Sequence, residues 1–69
     1  MYIGIVQTKK KEEYTTKTEN FSEAWSYVNE TANELKQDVI YAGVHEDVRW
    51  NDGHYLHPTK EVAVMRKLI

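Results

Sequence analysis

Three histidines, His45, His54 and His57, share one stretch of the chain with Glu46, Asp47 and Asp52. Imidazole and carboxylate together are ligands for zinc or another divalent ion. Their spacing matches no metal-binding signature. His54 and His57 stand three apart in a segment expected to be extended, so their side chains point to opposite faces and do not chelate together. The six residues read as polar hairpin positions in solvent, with no metal and no cofactor. Ser22 and Ser26 fall on the polar side of a helical pattern, without a glycine-flanked nucleophile elbow or a glycine-rich phosphate loop. The paired carboxylates Glu12-Glu13 and Glu46-Asp47 sit in charged breaks, where nothing builds the dry pocket that raises a carboxyl pKa for acid–base work. No catalytic residue is expected, and the chain reads as something other than an enzyme.

Binding chemistry is better represented. Lys9, Lys10 and Lys11 form a basic tip which, with exposed Tyr2, Tyr41, Trp50 or Tyr55, would suit single-stranded nucleic acid by charge and stacking. Glu12 and Glu13 partly neutralise that tip, and the net charge of -2 disfavours a partner whose capture depends on counterion release. Nucleic acid is therefore the alternative reading. The aromatic residues say more. One helix covers one face of a sheet, so some aromatics must lie elsewhere, and Tyr and Trp are the residues that protein interfaces favour. Tyr41, Trp50 and Tyr55 are the expected contact surface for a protein partner, with the acidic helix stripe Glu23, Glu30 and Glu34 as a second surface for a basic groove.

These residues need a frame. Phe21, Ala24, Trp25, Val28, Ala32 and Leu35 recur at three- and four-residue spacing, which predicts an amphipathic helix over Asn20 to Gln37. Asn20 followed by Glu23 predicts a capping box at its start. Tyr2 to Thr8 alternates as a strand, with Ile3 and Ile5 expected to face the helix. Tyr14 to Thr18 follows as a polar edge strand carrying Lys17. After the helix, Val39 to His45 resumes a strand with Ile40, Ala42 and Val44 on one face, and Glu46-Asp47 interrupts it as a bulge or a turn. Asp52-Gly53 predicts a tight hairpin turn flanked by Trp50 and Tyr55, ended by His57-Pro58. Glu61 to Leu68 is apolar on both faces and reads as an interior strand.

The expected fold is a single α+β domain over residues 1–69: a small, mostly antiparallel sheet with one helix on one face, in the order β-β-α-β-β-β. Its expected core is Ile3, Ile5, Phe21, Ala24, Trp25, Val28, Ala32, Leu35, Ile40, Ala42, Val44, Val62 and Val64, centred on Trp25. A domain of this size buries only about 60% of its unfolded surface, so it has little stability to spare, and a homodimer is a competing use of the aromatic surface. Zero cysteines exclude disulfides and thiolate metal sites. Met1 leads directly into an alternating strand rather than a basic region and a long apolar run, so neither a signal peptide nor a membrane span is expected, and the cytoplasm is the expected compartment.

In outline, with an exposed hairpin followed by Asn20-Phe21-Ser22-Glu23-Ala24 opening one capped helix and then more sheet, the chain resembles small phage-encoded inhibitor proteins of the anti-CRISPR type. The resemblance spans the whole chain and carries over no functional residue. It implies a protein that acts by occupying a surface on a larger machine. The function expected is a non-enzymatic protein-binding module, an inhibitor or modulator of a larger cytoplasmic protein.

Overall fold

A computed structural model describes residues 1–47 and 59–68. Among them the order is β1 (Tyr2–Thr8), β2 (Glu13–Thr18), α1 (Phe21–Leu35), a 3₁₀ turn (Lys36–Asp38), β3 (Val39–Asp47) and β4 (Thr59–Lys67). The strands form one antiparallel sheet in the order β2-β1-β3-β4, with α1 against one face. β2 and β3 both run antiparallel to β1, hence parallel to each other. Joining them requires a crossover, and α1 supplies it. The expected Trp50/Tyr55 hairpin, with its Asp52-Gly53 turn, lies outside the described residues.

The helix begins where the sequence predicts, by a different bonding route. Asn20 Oδ1 accepts from the Ser22 N–H at 2.9 Å, while the Asn20 N–H donates to Thr18 Oγ1 rather than to Glu23. Glu23 instead accepts from the Thr18 hydroxyl at 2.7 Å, so the reciprocal arm of the cap runs through the end of β2. At the other end Lys36 takes φ 52° and ψ -115°, a conformation that suits glycine, and its N–H bonds the Ala32 carbonyl. Arg66 on β4 donates to the Lys36 carbonyl at 3.1 Å, and the Lys9 N–H donates to the Asp38 carbonyl at 2.9 Å. Both bonds fix the helix exit to the sheet.

The core is Val6, Ala24, Val28, Ala32, Val39, Ala42 and Val44. Of the expected core, Ala24, Val28, Ala32, Ala42 and Val44 are buried and Leu35 packs at the margin. The face of β1 is reversed. Gly4, Val6 and Thr8 are turned to the helix, and Ile3 and Ile5 to the other side. A Cβ on Gly4 would lie 3.0 Å from Val28 Cγ2 and 3.2 Å from the Ala24 carbonyl oxygen, so the missing side chain lets the helix sit close to the sheet. Tyr2, expected on the uncovered face, is on the helix side, edge-on to Phe21 at 5.6 Å.

Four further expectations change. Phe21 is 38% exposed and Trp25 is half-buried, the two rings stacking at 6.1 Å along the flank of the helix; Val28 holds the centre instead. Ile40 is half-buried because the register shifts there: Gln7 pairs with Tyr41 but Thr8 with Val39, which puts Val39 into the core. Among the described residues the last strand is an edge, with Val62 and Val64 40% and 41% exposed. Glu46-Asp47 does not interrupt β3, which continues through both. β2 is an edge strand, as its composition predicts.

Candidate functional site

The face of the sheet opposite the helix is organised by the period of two along β3. Tyr41, Gly43 and His45 alternate onto it, and antiparallel pairing brings up Gln7, Ile5 and Ile3 beside them. Three rows cross the four strands. One runs Lys17-Ile3-His45-Glu61, the next Thr15-Ile5-Gly43-Val64, and the third Glu13-Gln7-Tyr41-Lys67. Ile3, Ile5 and Val64 make the middle apolar. Charges of alternating sign stand at the four corners. An apolar centre with a polar rim is the anatomy of a protein-binding surface.

A hydrogen-bonded cluster lies at the β3/β4 side of this face. Tyr41 lays its ring along the strand across Gly43: a Cβ on Gly43 would stand 2.7 Å from the Tyr41 hydroxyl and 2.8 Å from the Ala63 carbonyl oxygen. Glycine is what permits this path. The Tyr41 hydroxyl donates to Glu61 Oε2 at 2.8 Å and lies 2.7 Å from His45 Nε2. A hydroxyl has one hydrogen, already given to Glu61, so Nε2 carries the proton on His45 and donates to the Tyr41 oxygen. In the neutral ring Nδ1 then accepts from the Thr59 hydroxyl, 3.0 Å away. Lys67 Nζ stands 3.7 Å from Glu61. Burial, and next the bond to Glu61, push the Tyr41 pKa well above its ordinary value of 10. The hydroxyl is thus held as a donor. Ile5, Gln7, Tyr41, His45, Glu61 and Lys67 surround an open depression of about 200 Å³.

The surfaces read from sequence are distributed as follows. Tyr41 is on the uncovered face, but only 6% exposed, so it holds the surface together rather than projecting from it. Trp50 and Tyr55 lie outside the described residues, as do His54, His57 and Asp52. Glu23, Glu30 and Glu34 are exposed on the outer side of α1, across the sheet from Tyr41. Lys9, Lys10 and Lys11 form the exposed β1–β2 turn, in which Lys11 has φ 64° and donates its N–H to the Thr8 carbonyl. A depression of about 360 Å³ beside this turn is lined in part by Glu12 and Glu13. Among the described residues no group of three potential metal ligands converges. His45 and Glu46 point to opposite faces of β3, as pairing with Ile3 and Tyr2 requires.

Sequence reasoning missed Ile3, Ile5, Glu61, Val64 and Lys67 as parts of one surface. The Tyr41-Gly43-His45 alternation was the available signal for half of it. The contributions of β4 were hidden by two register shifts, which break the period of two. Among the described residues no helix is long and apolar enough to cross a membrane. Comparison with protein-family models, curated proteins and solved structures finds no match to this chain.

Proposed function

We propose that this protein is a non-enzymatic binding module that inhibits or modulates a larger cytoplasmic protein, contacting it through the sheet face opposite the helix. One observation carries the reading: Ile3, Ile5 and Val64 form an apolar centre within a rim of fixed polar groups, on a face that α1 leaves bare. The Tyr41–His45–Glu61 cluster favours recognition over chemistry, because its groups already satisfy one another and are ordered before any partner arrives. Pre-ordering lowers the entropic cost of binding. A surface that acts by occupancy is also what the likeness in outline to phage-encoded inhibitors implies, and a cysteine-free chain suits a reducing compartment.

The test is affinity capture from the source cell with the native chain, Ile5→Lys, and Glu30→Lys/Glu34→Lys. Ile5 is outside the core, so a lysine there alters the face while leaving the fold intact. A partner kept by the helix variant and lost by Ile5→Lys supports the reading. Loss only with the charge reversal moves the contact to α1.

A further inference from the structure

Among the described residues the two outer strands of the sheet differ in where their charges fall. β2 carries Glu13, Lys17 and three threonines, the composition that keeps an edge from pairing. β4 holds its charges, Lys60, Glu61, Arg66 and Lys67, at its two ends and leaves Val62-Ala63-Val64-Met65 between them uncharged, with Val62, Val64 and Met65 40%, 41% and 40% exposed. Among the described residues no strand pairs with its outer side. We propose that this outer side of β4 pairs antiparallel with β4 of a second copy of the chain, joining two four-stranded sheets into one of eight strands.

The choice of a second copy comes from the strand's own symmetry. Relative to β3, β4 carries one extra residue between Lys67 and Val64 in the ladder and another between Val64 and Glu61. These insertions space the open-face residues evenly as Glu61, Val64 and Lys67. The pattern is an acid, an apolar centre and a base, which is its own complement when the direction is reversed. A twofold axis through Val64, perpendicular to the sheet, sets Val64 against Val64 of the partner subunit and Glu61 against Lys67 of the partner subunit, twice. Such an axis keeps every residue on its own face, so the open faces of the two copies become continuous. A register centred on Ala63 would place Lys60 opposite Arg66 of the partner subunit, and like charges directly opposite one another are unfavourable. These ion pairs are partly exposed and add little affinity; they select the register. The main-chain bonds and the apolar run hold the pairing together.

The absence of cysteine makes the test direct. Sedimentation equilibrium of the native chain should show a dimer at about 100 µM that dissociates on dilution, as mass action requires. Val64→Cys should become a covalent dimer under mild oxidation at least about ten-fold faster than Thr15→Cys on the β2 edge, a difference of ~1.4 kcal/mol in effective encounter. Lys67→Glu should weaken the native dimer, since it sets like charges opposite one another. A native chain that remains a monomer at this concentration overturns the proposal, and so does a dimer that Thr15→Cys traps as fast as Val64→Cys. Neither measurement uses a heterologous partner, so this proposal and the binding function fail separately.

Discussion

Gly43 and Lys36 show how single positions decide local geometry. At Gly43 a methyl group would enter the space of the Tyr41 hydroxyl and the Ala63 carbonyl. Gly43→Ala should therefore destabilise by about 1–3 kcal/mol, the usual cost of forcing extra volume into a packed site, measured by urea unfolding. Lys36 is the converse case. Its positive φ strains any side chain, so Lys36→Gly should raise stability by up to about 1 kcal/mol in the same assay, some of the relief being offset by greater freedom in the unfolded chain. Tyr41 adds a pH dependence. Its folded-state pKa lies above the unfolded value of 10, so its contribution is complete below pH 10 and is lost as pH rises through the folded-state value. Native protein should lose stability above pH 10 more steeply than Tyr41→Phe, the difference between the two isolating this residue from the other tyrosines.

At the scale of the element, the packing of α1 on β1 turns on Ala24, Val28 and Ala32 meeting a strand that offers Gly4. Val28→Ala should cost about 1.5–3 kcal/mol, the value of a fully buried aliphatic side chain. Phe21→Ala should cost only about 1 kcal/mol, because it removes a partly exposed ring with one stacked and one edge-on contact. Thermal or chemical denaturation of both variants checks the order. The helix, its Asn20 cap and the polar edge character of β2 were legible because each rests on local chemistry: spacing, a cap residue and charge. Which side of β1 the helix covers was not. Alternation separates Ile3 and Ile5 from Gly4 and Val6 without saying which set is buried, and greater hydrophobicity favours the isoleucines. The helix instead needs the glycine, whose value is the close approach it permits. Val39 and β4 were misread for a related reason. One register shift turns Val39 inward and two more reset the faces of β4, and a register shift leaves no mark on composition. Tyr41 was placed on the correct face but expected to project; a glycine two residues along lets it lie flat.

For the whole molecule, one helix on a four-stranded sheet leaves a broad face without cover among the described residues. A small domain gains little stability from such a face, so Ile3, Ile5 and Val64 are more readily explained by what they meet than by what they hold together. The three rows across the strands unite residues from all four, and no shorter piece of the chain would present them. Binding by this face is tested by site-specific photocrosslinking. A photoreactive amino acid is placed at Ile5 in one chain and at Glu30 on the outer side of α1 in another, and each is irradiated in the source cell. Binding by the open sheet face should give a discrete adduct between the Ile5 chain and a larger protein, and none from the Glu30 chain. An adduct formed from Glu30 alone, or none from either position, would contradict it.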